Sequence, residues 1–136
     1  MPNDNYYFNN VLLASGPVII KDNKVLVNKH GESNLWKFPG GDITEASGDL
    51  ASWAAKKAEE EMGLKVKIIK PLSPMVVWEK NRVIVLFHYL AEMIGEEIKP
   101  ADYIKEYAWL DIDDLPADCS PNIGLIIDEV KKLKEG

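Results

Sequence analysis

Three consecutive glutamates, Glu59-Glu60-Glu61, stand just before Met62-Gly63, at the end of a segment whose apolar residues are spaced for a helix. Carboxylates in a last helical turn oppose the helix dipole, at about 0.3–1 kcal/mol each when exposed. A sequence that places them there either has a solvated face near lysines, here Lys56 and Lys57, or uses the carboxylates for a cation. The remaining chemistry-bearing residues are sparse. His30 and His88 are isolated, with no cysteine or second histidine at zinc-ligand spacing, so a structural role is expected for both. Cys119 has no base nearby in sequence and is not expected to act as a nucleophile. No Walker or dinucleotide fingerprint is present, and Gly16-Pro17 does not make a phosphate loop.

The elements that must position these residues follow from local patterns. Val11 to Ile20 reads as a strand, Lys21-Asp22-Asn23-Lys24 as a turn, and Val25-Leu26-Val27 as the antiparallel return. A third short strand is expected to hold Leu35, Trp36 and Phe38, broken by Pro39-Gly40-Gly41. Ser47 to Met62 reads as a helix closed by Gly63, with Leu50, Ala51, Ala54, Ala58 and Met62 on the side that packs on a sheet. Strands are expected at Lys65 to Ile69, Met75 to Trp78, Val83 to Met93 and Glu106 to Leu110. The polar stretch from Gly95 to Tyr103 has no regular pattern, and Asp111 to Pro116 reads as a short helical turn. Ser120-Pro121 starts a terminal helix whose buried stripe is Ile123, Ile126, Ile127, Val130 and Leu133. This order predicts an α+β domain in which two helices cover a mixed sheet.

Composition bounds the function classes. At 136 residues, 46% apolar and 28% charged, the chain is expected to be one soluble domain that needs no disulfide or metal staple. Its longest apolar run, Val83 to Phe87, is far short of the roughly 20 residues that span a bilayer. Met1-Pro2-Asn3-Asp4-Asn5 lacks the features of a secretion signal, and the single Cys119 fits a reducing compartment, so a cytoplasmic location is expected. There are 22 acidic residues against 16 basic ones, and Arg82 is the only arginine. That balance argues against a nucleic-acid partner and leaves a small anionic ligand open, since a metal ion or a few lysines can supply positive charge locally.

From Trp36 to Leu64 the chain resembles the box of the Nudix family, hydrolases of nucleoside diphosphates linked to another group. Glu60-Glu61-Met62-Gly63-Leu64 fits the end of that box with Ala58 at its apolar position, and Trp36-Lys37-Phe38-Pro39-Gly40-Gly41 fits its beginning. Glu106-Tyr107-Ala108-Trp109-Leu110 with Asp114-Leu115-Pro116 is similar to the family's closing strand and turn. The resemblance implies an α/β/α sandwich with a mixed sheet between the box helix and the C-terminal helix. It also implies magnesium held by Glu60, Glu61 and the Gly40 carbonyl, with Lys56 orienting carboxylates and a later acidic residue helping. Glu96, Glu97 and Asp102 lie in the corresponding stretch, with Asp42 and Glu45 as further candidates, and Glu97 is preferred.

The departures are specific. From Gly41 to Gly63 the chain is one residue longer than the motif, and its Arg-Glu pair falls on Lys56-Lys57. Asp49 with Lys56 or Lys57 can stand in for the family's loop-to-helix ion pair. On a helical wheel Lys57 lies between Glu60 and Glu61 within an arc of roughly 60–100°, about where the resemblance puts the metal. Trp53 lies beside the same face, either covering the site or packing at an edge. The expected function is magnesium-dependent hydrolysis of a nucleoside diphosphate derivative or nucleoside triphosphate. The alternatives are a non-catalytic nucleotide- or phosphometabolite-binding module with Lys57 in place of a metal ligand, and a structural domain that docks a partner. A homodimer is also expected.

Overall fold

In β1 (Val11–Lys21) the residues from Ser15 to Ile19 are all buried, as in a strand covered on both faces. The computed structural model describes residues 11–44, 48–79 and 81–135. Asp22 and Asn23 carry φ of 53° and 64°, the positive values a two-residue type I′ hairpin requires at both central positions. They return the chain into β2 (Lys24–His30). β1 and β2 pair at Ile20–Val25 and Lys21–Lys24, and toward their other ends a later segment enters between them. Lys37 bridges Asn28 of β2, and β3 (Gly41–Asp42) pairs with Ser15 and Ala14 of β1. The glycine turn is thereby wedged into the opening between the two strands.

The rest of the sheet consists of β4 (Lys65–Pro71), β5 (Met75–Glu79), β6 (Arg82–Ile94) and β7 (Ile104–Asp111). The order is β4-β6-β1-β2-β7, with β5 also on β6. β1 and β6 run parallel and the other pairs antiparallel, so the sheet is mixed. Alternate residues face opposite helices. Val18, Val25 and Val27 join Ile123, Ile126, Ile127 and Val130 of α2 (Pro121–Glu135). Ile19, Leu26 and Ala91 join Ala58 and Met62 of α1 (Leu50–Met62). The architecture is the expected α+β sandwich.

Several local expectations are corrected. The box helix starts at Leu50, because Gly48 has a φ of 109° and Asp49 is the N-cap, accepting from Ser52 N at 2.8 Å. Ser47, the expected start, lies outside the described residues. Leu50 and Ala51 are only half-buried, while Trp53 and Glu61 join the buried face. Leu35 to Phe38 forms no strand of its own: Lys37 bridges Asn28 and Trp36 bridges Cys119, since Pro39 stops the ladder. Asp111 to Pro116 is a turn, with Asp114 N donating to Asp111 O and Asp113 taking a bond from Asn23. Leu133 is 40% exposed and leaves the stripe.

Candidate active site

Glu61 is the charged residue the fold buries most completely among those of α1, at 4% exposure. Three elements meet on it. From β2, Asn28 Nδ2 donates to Glu61 Oε1 at 2.6 Å, and from the wedged turn Gly40 N donates to the same oxygen at 3.3 Å. From the approach to β7, Tyr103 adds a third interaction with the carboxylate. Burial pushes the Glu61 carboxyl above its ordinary range, against the pull of Asn28, Gly40, Lys57 and Tyr103. The Tyr103 phenol is also pushed up, by burial and by the charges of Glu61 and Glu60. His30 Nδ1 lies 3.0 Å from Asn28 Oδ1, which orients the amide when that nitrogen carries the proton. His30 also meets the Tyr103 ring edge-on.

The glycines make this approach possible. A Cβ on Gly16 would lie 2.1 Å from the Pro39 carbonyl, and one on Gly40 2.9 Å from the Ser15 carbonyl, with φ at Gly40 of 153°. The turn therefore lies directly on the β1 backbone. At the far end of α1, Gly63 takes a φ of 65° as a left-handed cap. The irregular stretch beyond β6 then folds over the helix end, with Lys99 N donating to Met62 O and Ala101 N to Glu61 O. This satisfies helix carbonyls that would otherwise have no partner, and it brings Tyr103 to Glu61.

Lys57 occupies the other side of the glutamates. Its Nζ is 3.2 Å from Glu60 Oε2, and the side chain is 19% exposed against 48% for Glu60. Its stem packs on Gly41, where an added Cβ would meet Lys57 Cδ at 3.2 Å, and the ammonium is 5.4 Å from the Trp53 ring centre. Lys56 Nζ lies over the same ring at 4.7 Å. Trp53 is thus a buried platform for both lysines.

The remaining candidates are more dispersed. Glu97 is exposed and pairs with Lys99 at 2.7 Å, which ties it to a near neighbour rather than to Glu61. Glu96 and Asp102 are exposed as well. Asp42 lines a cleft of about 380 Å³ that shares Gly40 and Gly41 with the glutamate cluster, and Glu45 lies outside the described residues. Phe38, Phe87 and His88 line the apolar part of that cleft, and Lys37 and Arg82 bring positive charge to it. His88 is built into its wall: Nδ1 donates to Ser73 O at 3.1 Å, and Nε2 lies 3.1 Å from Asn122 Nδ2.

Glu60, Glu61 and the Gly40 carbonyl are hard oxygen donors of the kind magnesium prefers. Among the described residues no group of three or more His, Cys, Asp or Glu gathers to hold a metal, so backbone oxygen, water or ligand must complete any shell. The place itself suits a cation, because the structure already puts one there in the Lys57 ammonium. The donors therefore fit a divalent ion in kind, and such an ion has to share or displace that ammonium.

Asn28, Tyr103, His30 and Gly16 were not anticipated as site residues. Asn28 had a readable signal, a polar residue ending the apolar run Val25-Leu26-Val27 of a buried strand. The others are brought in by tertiary packing alone.

Comparison with known proteins agrees with this architecture. The family model described as NUDIX domain matches residues 12–129. An 8-oxo-dGTP diphosphatase of Buchnera aphidicola subsp. Schizaphis graminum is 28% identical over 102 residues, covering 72% of this chain and 75% of that protein. The MutT NUDIX hydrolase from Burkholderia pseudomallei superposes with a TM-score of 0.79 at 22% identity, covering 89% of this chain and 98% of its own. The MutT protein from Methanosarcina mazei Go1 gives 0.81 at 12% identity, covering 93% and 97%. With a family match over nearly the whole described length, a glycine turn wedged beside β1 and a glutamate-tipped helix facing it, the chain belongs to the Nudix family.

Proposed function

We propose that this chain hydrolyses a phosphoanhydride bond in a nucleoside diphosphate derivative or a nucleoside triphosphate. The observation that carries this reading is Glu61: a buried carboxylate held by Asn28 and by Gly40, a glycine that also lines a cleft, with its proton affinity raised by burial. A carboxylate tuned upward beside a cleft is suited to general base work. Its Oε1 is fixed by two N–H donors, and the carboxylate would take the proton of an attacking water. Magnesium on Glu60, Glu61 and the Gly40 carbonyl, once it shares or displaces the Lys57 ammonium, would neutralise charge on the phosphoryl oxygens and lower the pKa of a water. Lys56 helps fix the helix face through Trp53, and Glu97 would complete the shell only by leaving its ion pair with Lys99. Lys37 and Arg82 beside the cleft favour an anionic ligand, and its apolar wall suits a nucleoside.

The substrate is a small nucleotide rather than a nucleic acid, consistent with the net charge of −6. The activity named for the Buchnera relative supports including a nucleoside triphosphate among the candidates. We place the protein in the cytoplasm as a homodimer. A second reading, favoured by the Lys57–Glu60 ion pair, is a module that binds the same ligands without cutting them. Product analysis separates the two. Incubation with magnesium and a panel of nucleoside triphosphates and diphosphate conjugates should yield a nucleoside monophosphate from at least one member. Binding of a panel member with no product establishes the second reading.

A further inference from the structure

Lys57 is not an ordinary surface lysine. An exposed pair three residues apart on a helix is worth about 0.2–0.5 kcal/mol and leaves both side chains in water. Here the stem is packed on the Gly41 backbone, the ammonium faces Trp53, and most of the side chain is removed from solvent. The charge lies beside Glu60 and within electrostatic reach of Glu61. An ammonium has three N–H donors, and the bond to Glu60 uses one. It stands against the turn whose neighbouring glycine, Gly40, touches the second carboxylate.

We infer that Lys57 is the resident cation of this site, occupying the place of a divalent ion and receiving the diphosphate of a ligand through its ammonium without metal. This rests on the reading of the site as one for nucleotide phosphates. Two consequences follow from the charge. A divalent ion binds less tightly while Lys57 is present than it would without that charge, because like charges repel. A diphosphate binds without metal, because the ammonium supplies a charge-assisted bond that a phosphate oxygen accepts.

The test uses calorimetry with inorganic pyrophosphate and ADP, with EDTA or with magnesium, and a manganese titration followed by electron paramagnetic resonance. The variants are Lys57→Met, which keeps the stem on Gly41, and Lys57→Glu; circular dichroism checks that each is folded. Wild type should bind pyrophosphate or ADP in EDTA, and Lys57→Met should weaken that binding about 10- to 100-fold, the range of one hydrogen bond to a charged group. Lys57→Glu should bind manganese at least about tenfold more tightly than wild type. The inference is overturned if wild type needs magnesium to bind either anion, or holds manganese as tightly as Lys57→Glu. If neither anion binds any variant with or without magnesium, the phosphate reading of the site fails and takes this inference with it.

Discussion

An ionised carboxylate sealed among Asn28, Gly40 and Tyr103 costs stability that a neutral amide of the same shape does not. Glu61→Gln is therefore expected to leave the melting temperature unchanged or raise it at neutral pH, as measured by calorimetric scanning. A clear drop would mean that the carboxylate holds the three elements together electrostatically. His88 makes the opposite kind of demand. Burial pulls its imidazole below the ordinary 6.5, against the raising effects of the Ser73 carbonyl bond and Glu129. Phe38 meets the ring edge-on and Asn122 faces Nε2, so a second proton has nowhere favourable to go. The folded state binds that proton less well than the unfolded chain. The contribution is complete above pH 6.5 and is lost as pH falls from there through the lower folded value. Denaturant unfolding of wild type against His88→Gln should show a stability difference in favour of wild type that shrinks on acidification through that window.

At the scale of elements, the site depends on two devices. Asp49 starts α1 by accepting from the Ser52 amide at 2.8 Å and from its hydroxyl at 2.9 Å. Asp49→Ala should cost about 0.5–2 kcal/mol in equilibrium unfolding, the ordinary loss of a cap. Gly16 is where the glycine turn lies on β1. Gly16→Ala places a Cβ 2.1 Å from the Pro39 carbonyl, backbone against backbone, so the turn must shift. We expect a loss of about 1–3 kcal/mol, with weakened ligand binding from displacement of Gly40. Unchanged binding in a destabilised Gly16→Ala would show that the turn does not position the ligand.

At the scale of the molecule, the sheet separates two cores, one under each helix. Ile127 belongs to the α2 side and Ile19 to the α1 side. Each truncation to alanine should cost about 2–5 kcal/mol, and the two should add within about 0.5 kcal/mol if the cores are independent. A large coupling energy would show that the sheet transmits strain between them. Much of this sandwich was legible in sequence, because Ala54, Ala58 and Met62 mark one helix face and Ile123, Ile126, Ile127 and Val130 the other. The glutamate pair and the Gly40–Gly41 turn were legible because their chemistry is local. Asn28 and Tyr103 lie 33 and 42 residues from Glu61. Only the opening between β1 and β2, and the folding of the Lys99–Ala101 stretch over the α1 end, bring them to it. No periodicity encodes such a meeting, whereas the added residue between Gly41 and Gly63 and the Lys56-Lys57 pair showed in advance where this chain departs from its family.

On the proposed reading, Glu61 is the residue that makes this chain a hydrolase. Phosphate or pyrophosphate release from the nucleotide panel, measured with magnesium for wild type and Glu61→Gln, tests it most directly. Wild type should turn over at least one member, and Glu61→Gln should lose about 10²–10⁴-fold in kcat while remaining folded. A wild type that binds a nucleotide but releases nothing, or a Glu61→Gln that turns over like wild type, contradicts the account.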